Sequence, residues 1–104
     1  MGANDSPLDA LGDPTRRRVF ELLRDGPRSV GELAAELPVS RPAVSQHLGV
    51  LGRAGLVTHR SEGTRHLYEV DGAGVGQLRA WVDGFWEEAL ARFKAAAETK
   101  GGVS

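Results

Sequence analysis

A polar and narrow face runs along residues 40–57, SRPAVSQHLGVLGRAGLV, a segment that predicts a helix beginning after Ser40 and ending at Gly55. The side opposite its apolar residues combines little bulk with several hydrogen-bonding groups, on Arg41, Pro42, Ser45, Gln46 and Gly49. Arginine matches the acceptors on the edge of guanine, and glutamine matches adenine. A slim helix with such groups near its N-terminus fits the major groove of DNA, which is about 12 Å wide. The segment therefore predicts a recognition helix.

Basic residues are concentrated in the middle of the chain. The net charge of −1 does not by itself predict a nucleic-acid partner. However, residues 16–65 carry nine arginines against five acidic residues. The flanking segments, residues 1–15 and 66–104, have net charges of −3 and −2. A basic middle segment favours a surface that faces phosphate groups. The predicted phosphate contacts are Arg16, Arg17, Arg28, Arg53, Arg60 and Arg65, together with Ser40 at a helix N-terminus. For Arg60 and Arg65, which flank the tip of the predicted wing, the alternative is contact with an adjacent minor groove. Eleven of the 13 basic residues are arginines, which fits either bidentate phosphate recognition or the codon bias of a GC-rich genome.

Capping signals predict four helices in the first half of the chain. A short helical turn holds Leu8 and Leu11, and Asp13 is the expected N-cap of the next helix. The pattern SVGE at residues 29–32 is a capping box. The helix that it begins is expected to run through Leu37 and stop at the following proline, and the recognition helix comes after a short turn. Two helices joined in this way are typical of a helix-turn-helix.

The hydrophobic period changes after Leu56 from that of a helix to that of a strand. The segment LVTHRSEGTRHLYEV predicts two short strands around a tight turn at Glu62-Gly63. Glycines at residues 72 and 74 are expected to break the chain before a long last helix and a frayed tail. The predicted fold class is mainly α with a small β-hairpin wing, a winged helix-turn-helix that dimerises through its terminal helices. The single predicted domain, 1–104, comprises N-terminal helices 8–25, a helix-turn-helix 29–55, a wing hairpin 56–70 and a dimerisation helix 74–98.

Bulky apolar residues cover about half of the circumference of the last helix, at about 100° per residue. Both tryptophans and two of the three phenylalanines of the chain lie on it. Because this area exceeds what one small core requires, we expect a dimer interface. The predicted interface residues are Leu8, Leu11, Leu78, Trp81, Val82, Phe85, Trp86, Ala89, Leu90 and Phe93. The alternative is an apolar ligand pocket lined by Trp81, Phe85 and Trp86.

The segment 8–70 resembles the ArsR family of small bacterial winged-helix repressors. The resemblance is carried by D-P-T-R, by the S-x-x-E-L helix, by S-R-P-A-V-S-Q-H-L-x-x-L-x-x-A-G-L-V and by the wing pattern R-x-E-G-x-x-x-x-Y. It implies a homodimer that represses its own or a neighbouring gene by binding an operator with two half-sites. It also implies base reading by Ser40, Arg41, Pro42, Ser45 and Gln46. His47 belongs to the Q-H-L motif, and its helical phase favours a packing or phosphate-contacting role.

The best-known members of that family sense metals, but this chain lacks the metal-binding residues that they use. The helix before the recognition helix holds no cysteine, and the last helix holds carboxylates but no histidine. With a turn at Glu62-Gly63, His59 and His66 would lie opposite each other in the hairpin and could begin a zinc, nickel or copper site. An exposed polar pair near DNA phosphate is the favoured interpretation. No metal and no cofactor is therefore predicted.

Several function classes are disfavoured by the composition. The chain has no cysteine, no convincing Ser-His-acid set and no glycine-rich phosphate loop, so an enzyme is not predicted. Without a run of roughly 18 apolar residues or a signal-peptide pattern, a cytoplasmic protein with no membrane partner is expected. The predicted function is sequence-specific DNA binding by a transcriptional regulator, with a small-molecule or protein effector left open. The alternatives are a winged-helix module that docks on proteins and a metal-responsive repressor with an atypical site.

Overall fold

Five α-helices, one 3-10 turn and a two-stranded antiparallel sheet form the computed structural model, which describes residues 6–103 and the side chains of residues 6–98. The elements are α1 (Pro7–Ala10), α2 (Pro14–Leu22), the 3-10 turn (Leu23–Asp25), α3 (Val30–Ala34), α4 (Arg41–Arg53), β1 (Val57–Glu62), β2 (Arg65–Val70) and α5 (Gly72–Val103). Residues 1–5, which include the acidic Asp5, and Ser104 lie outside the described part. The predicted fold class, mainly helical with a hairpin wing, is confirmed.

Polar side chains determine where α2, α3 and α4 begin. The Asp13 carboxylate, the Ser29 hydroxyl and the Ser40 hydroxyl each accept a hydrogen bond from the backbone amide three residues further on, at 2.9, 3.1 and 3.3 Å. The Glu32 carboxylate accepts from the Ser29 amide at 2.8 Å, which completes the predicted capping box. Each bond satisfies a backbone donor that the helix itself leaves unpaired. The three predicted caps are therefore confirmed.

The hydrophobic core lies between α2, α3 and α4 and extends to the first residue of the wing. Its buried side chains are Ala10, Val19, Leu23, Leu33, Val44, Leu48, Leu51, Ala54, Leu56 and Val57. The predicted core face of α4, formed by Val44, Leu48 and Leu51, is buried. At the end of α4, Gly55 has a φ of +81°, as predicted for a residue that stops a helix. Because the apolar face of α4 turns inward, its polar face is presented to solvent.

Helix α3 is shorter than the sequence predicts. It ends at Ala34 rather than continuing through Leu37. The amides of the two residues before Pro38 donate to carbonyls three residues back, at 3.1 and 3.3 Å, which is the tighter 3-10 pattern. Proline disfavours the helical conformation of the residue before it, so the chain leaves the α-helix ahead of this position. The turn between α3 and α4 is correspondingly longer and comprises residues 35–40.

The wing turns one residue later than predicted. Gly63 and Thr64 form its two-residue turn, since Glu62 pairs with Arg65 across the strands. Gly63 has a φ of +65°. The favoured two-residue hairpin turns require a positive φ at their first central residue, which glycine adopts readily and glutamate does not. The predicted turn at Glu62-Gly63 is therefore wrong, because it would place the glutamate in the strained position.

This register changes the relation between the two histidines of the wing. His59 pairs with Tyr68, and His66 pairs with Ser61. The rings of His59 and Tyr68 lie 5.4 Å apart between centroids. The predicted direct pairing of His59 with His66 is wrong. The two histidines share one face of the hairpin as diagonal neighbours.

Backbone hydrogen bonds attach the base of the wing to the helical body. Arg28 and Tyr68 exchange two such bonds, at 2.8 and 2.9 Å, so the chain ahead of α3 pairs briefly with β2. On the other side of the hairpin, the Asp71 amide donates to the Leu56 carbonyl at 2.8 Å. The base of the wing is thereby held against the body, while its tip at Gly63 is exposed.

Helix α5 begins at Gly72, inside the segment where the sequence predicts a break. The Asp71 carboxylate caps it by accepting hydrogen bonds from the amides of Ala73 and Gly74, at 3.1 and 3.4 Å. Gly74 packs directly on the backbone of Gly55, and a Cβ at this position would overlap with the Gly55 carbonyl group. The predicted break is therefore wrong. The glycine at 74 allows close packing of the helix instead of interrupting it.

Only the beginning of α5 packs on the body of the molecule within the described residues, through Val75 and Leu78. The helix has 32 residues and, at about 1.5 Å per residue, is about 48 Å long. It continues through residues 101–103, where a frayed tail is predicted, and gives the molecule an extent of 67 × 30 × 27 Å. Across the described chain, none of the helices has an apolar run suited to crossing a membrane.

Candidate nucleic-acid interface

The predicted base-contacting residues lie together on the outer side of α4. All of them are exposed, namely Ser40, Arg41, Pro42, Ser45 and Gln46. The Ser40 hydroxyl is engaged in capping the helix. The side chains of Arg41, Ser45 and Gln46 have no hydrogen-bond or ion-pair partner among the described residues. The first half of α4 therefore presents a set of unpaired donors and acceptors.

Arg41 rests against the helix that precedes it in the motif. A Cβ built on Gly31 of α3 would lie 3.0 Å from Nη2 and 3.2 Å from Cζ of Arg41. The guanidinium group thus packs over the backbone at Gly31, where a larger residue would displace it. This contact across the turn was not indicated by the sequence pattern, because it depends on the angle between α3 and α4.

His47 is half-buried and lies apart from the exposed polar face. It is close enough to Asp13, the N-cap of α2, for its charge to act on that carboxylate. The hydrogen bond from the Arg16 amide is the main cause that holds the pKa of Asp13 below its ordinary value, and the charges of Arg16 and His47 act in the same direction. This position favours packing between α4 and α2 over base reading.

The two arginines of the wing are paired with carboxylates. Arg60 binds Glu69 at 2.8 Å and Glu62 at 3.6 Å, and the hydrogen bond with Glu69 is the main cause that raises the pKa of Arg60. Arg65 binds Glu32, the capping-box residue of α3, at 3.2 Å. Solvent screens these ion pairs, because the side chains that form them are largely exposed, so the pairs add little to stability.

The remaining arginines predicted to contact phosphate differ in their surroundings. Arg28 pairs with Glu36. The Nε atom of Arg16 donates to the Ala10 carbonyl at 2.6 Å, and Nη1 of Arg17 donates to the Leu11 carbonyl at 3.4 Å, so both arginines close the end of α1. Arg53 occupies the last turn of α4 and is exposed. The structure therefore gives Arg16 and Arg17 a structural role that the sequence did not predict.

A groove of about 440 Å³ separates the second half of α4 from the wing. Small residues of α4 and polar side chains of both elements line it, among them Ser45, Gly49, Gly52, Arg53, Thr58 and His59. Thr58 is a residue of this surface that the sequence pattern did not predict. The short connection between α4 and β1, residues 54–56, is the signal that could have indicated it, because it keeps the start of β1 beside the end of α4.

The histidines of the wing do not form part of a larger ligand cluster. Within the described part of the chain, no group of three or more His, Cys, Asp or Glu side chains is arranged to hold a metal ion. His66 lies 3.4 Å from the Ser61 hydroxyl through its Nδ1 atom. His59 faces Tyr68 instead of its fellow histidine. The diagonal pair therefore lacks the additional ligands that a structural zinc site requires.

Six of the predicted dimerisation residues of α5 are exposed, and Leu78 and Ala89 are half-buried. The exposed ones are Trp81, Val82, Phe85, Trp86, Leu90 and Phe93. Trp81, Phe85 and Trp86 are 55%, 54% and 60% exposed, and Trp81 stacks on Phe85 at 5.6 Å. These exposed residues continue the face by which α5 packs on the core.

Beside these exposed residues, a cavity of about 240 Å³ lies between α1 and α5, and Leu8 and Trp81 line it while Phe85 and Trp86 do not. A second cavity, of about 330 Å³, is lined by Trp81 and Phe85 but not by Trp86. The apolar ligand pocket that the sequence offers as an alternative stays a prediction.

Comparison with known proteins agrees with this geometry. A family model described as a helix-turn-helix domain matches residues 11–60. The HTH-type transcriptional regulator Rv2034 of Mycobacterium tuberculosis is 50% identical over 97 residues, which cover 93% of this chain and 91% of that protein. The transcriptional repressor SdpR of Bacillus subtilis is 32% identical over 62 residues, which cover 60% of this chain and 69% of that repressor.

Solved structures show the same relationship. A possible transcriptional regulator for arsenical resistance is 49% identical, with a TM-score of 0.71 over 85% of this chain and 92% of that one. An ArsR-like transcriptional regulator from Rhodococcus sp. RHA1 is 32% identical, with a TM-score of 0.66 over 86% and 88% of the two chains. Helix α4 and the wing thus occur in a fold shared with these transcriptional regulators. The chain belongs to the ArsR family of winged helix-turn-helix, DNA-binding transcriptional regulators.

Proposed function

We propose that the protein is a homodimeric repressor that binds an operator of two half-sites beside its own or a neighbouring gene. The observation that carries this proposal is the exposed face of α4, where Arg41, Ser45 and Gln46 have no partner in the described chain. These groups can bind base edges without first breaking an internal hydrogen bond. The proposed base contacts are Ser40, Arg41, Pro42, Ser45 and Gln46. His47 supports them by packing α4 against the body.

Arginines around α4 and on the wing support contacts with the DNA backbone. Arg60 and Arg65 are held by exposed carboxylates, and such pairs contribute little in water. A phosphate accepts the same charge-assisted hydrogen bonds from arginine, so it can replace the carboxylate when DNA is bound. The proposed phosphate contacts are Arg16, Arg17, Arg28, Arg53, Arg60 and Arg65.

The apolar face of α5 supports association of two copies. Contiguous exposed apolar surface is typical of interfaces, and Phe93 at 73% exposure extends it far beyond the body. Helix α1 borders the same surface through Leu8. The proposed interface comprises Leu8, Leu11, Leu78, Trp81, Val82, Phe85, Trp86, Ala89, Leu90 and Phe93. A twofold dimer would hold two recognition helices about 34–36 Å apart, one turn of DNA.

Repression follows from occupancy of the operator, because a bound dimer excludes RNA polymerase from the same DNA. The site of action is the bacterial cytoplasm, where that DNA lies. The test is fluorescence anisotropy with a duplex from just upstream of the gene and a scrambled duplex of equal length, over a salt series. We expect tight, selective binding that weakens steeply as salt rises. Equal binding to both duplexes, or binding without salt dependence, would contradict sequence-specific DNA recognition.

A further inference from the structure

We infer that Gly31 is a positioning residue for base recognition, because its lack of a side chain leaves a seat in which the guanidinium group of Arg41 is held for a base edge. The inference rests on the proposed DNA binding and adds a residue of α3 to those that determine sequence preference. Gly31 is the second residue of α3, and Arg41 is the first residue of α4. The contact therefore joins the two helices of the motif close to their N-terminal ends.

The guanidinium group of Arg41 covers the Gly31 backbone with its flat face. A Cβ built on Gly31 would lie 3.0 Å from Nη2, 3.2 Å from Cζ and 3.7 Å from Nε of Arg41. An approach from the edge of the group would leave the central Cζ farther away than both nitrogens, which these distances exclude. The N–H groups of a guanidinium point along its plane, so face-on contact leaves them open. Arg41 is accordingly exposed and has no hydrogen-bond partner among the described residues.

The backbone gives no reason for a glycine at position 31. Positive φ angles among the described glycines occur at residues 26, 55 and 63, so Gly31 has a conformation open to any residue. Glycine in a helix is unfavourable relative to alanine, because it loses more backbone freedom on folding. Among the glycines whose surroundings the structure describes, Gly31 alone would bring a Cβ within 3.4 Å of a side chain. That side chain belongs to Arg41, so the space beside Gly31 is used by the recognition helix.

The seat prepares Arg41 for the contact by which an arginine reads guanine. That contact uses two N–H donors from the edge of one guanidinium group, directed at O6 and N7 of the base. An arginine side chain that moves freely in solution has many rotamers, and fixing one of them on binding lowers the affinity. Packing over Gly31 restricts the group beforehand, while its donor edge stays open. Gly31 thus favours operator binding without contacting a base itself.

The test compares Gly31→Ala, Arg41→Ala and the double variant, with Gly76→Ala as the matched control. Gly76 lies inside α5, and a Cβ there would meet no atom within 4 Å among the described residues. Thermal unfolding is measured for each full-length variant, and anisotropy is measured with the upstream duplex, its single-base-pair variants and the scrambled duplex. We expect the Gly31→Ala protein to melt no lower than the parent protein. It should bind the upstream duplex about two- to tenfold more weakly.

The expected loss of affinity depends on the presence of Arg41. The Gly31→Ala substitution should relax the preference at the same base pair as Arg41→Ala and leave binding to the scrambled duplex unchanged. In the Arg41→Ala protein it should have no further effect, because the side chain that the seat holds is then absent. The control should bind both duplexes as the parent protein does.

The outcomes separate this inference from the proposed function. Unchanged affinity of the Gly31→Ala protein, beside weakened binding by the Arg41→Ala protein, would overturn the inference and leave DNA recognition intact. A lower melting temperature, or an equal loss of affinity with and without Arg41, would also overturn it, because Gly31 would then serve the fold. If the parent protein binds both duplexes alike, the proposed function itself fails.

Discussion

Helices α4 and α5 each have one face that is mostly exposed in the described part of the chain, and the two faces have opposite chemistry. The face of α4 is slim and polar, with two glycines and the unpaired side chains of Arg41 and Gln46. The face of α5 is broad and apolar, with two half-exposed tryptophans. A slim polar helix fits the wet, hydrogen-bonding groove of DNA, whereas a broad apolar one is stabilised by excluding water against another apolar surface.

The difference shows how a small chain can combine two kinds of recognition. The buried face of α4 is anchored by Val44, Leu48 and Leu51, so substitutions on its outer face leave the core intact. Helix α5 is anchored only near its start, by Val75 and Leu78 among the described residues. Most of α5 can therefore be altered without loss of the body. Each face can be tested separately.

The largest expected effect comes from placing charge on the α5 face. The double substitution Phe85→Glu and Trp86→Glu should convert a dimer to a monomer, because burying two carboxylates in an apolar interface is unfavourable. Without the second half-site contact, operator affinity should fall about 10²-fold or more. Light scattering after size exclusion measures the mass, and anisotropy measures the affinity. Glu87→Lys, on the polar side of the same helix, is the control. A double variant that stays dimeric would place the interface elsewhere.

A smaller effect is expected on the α4 face. Arg41→Ala and Gln46→Ala should each weaken operator binding by about 1–3 kcal/mol and relax the preference at one base pair. Competition between operator variants in the anisotropy assay measures both quantities. Arg24→Ala removes another exposed arginine that lies outside the proposed contacts, and it should leave base preference unchanged. The assignment of α4 as the reading helix would be refuted by a Gln46→Ala protein with unaltered affinity and preference.

The close contact of Gly74 with Gly55, where α5 meets the helical body, is expected to affect the free energy of unfolding. Gly74→Ala should lower the free energy of unfolding by about 1–3 kcal/mol, because the new methyl group overlaps with the Gly55 carbonyl group and forces α5 to shift. Gly76→Ala, two residues further on, should instead raise stability by up to about 1 kcal/mol. Denaturant unfolding of the two variants measures the contrast. Equal stability of both variants would mean that α5 does not sit tightly on Gly55.

The smallest expected effect is on stability at low pH, and it arises from the Asp13 carboxylate that caps α2. The folded-state pKa of Asp13 is lowered from its ordinary value of 3.8, mainly by the hydrogen bond from the Arg16 amide. A lowered folded pKa contributes stability that is present above 3.8 and is lost as the pH falls through the folded pKa. Asp13→Asn keeps a capping oxygen but cannot titrate. Thermal unfolding from about pH 5 to about pH 3 should therefore show a smaller loss in the variant. Identical pH profiles would exclude this contribution.

Much of the local structure could be predicted because its causes lie within a few residues. Asp13, Ser29 and Ser40 cap helices through amides three positions away. The inward face of α4 follows from its hydrophobic period. The set of exposed residues at its N-terminus could be named for the same reason. The prediction was weaker at the wing, where the preference of Gly63 for the first turn position decides between two neighbouring registers.

The partners of the charged groups could not be predicted in this way. Arg65 meets Glu32, which is 33 positions away, and Arg41 packs over Gly31 only because α3 and α4 cross at a particular angle. Nothing in the local pattern distinguishes an arginine with a carboxylate partner from a free one. The sequence therefore predicted which residues belong to the candidate site, and the structure showed which of their side chains have partners among the described residues.

The sequence by itself determined the order and capping of the helices, the slim polar face of α4 and the apolar face of α5, because periodicity and capping act over a single turn. Tertiary structure decided the continuity of α5 through Gly72, the contact of Gly74 with Gly55 and the groove beside Gly49. These features arise where segments distant in sequence approach each other. Close packing between backbones, and not local preference, sets the geometry there.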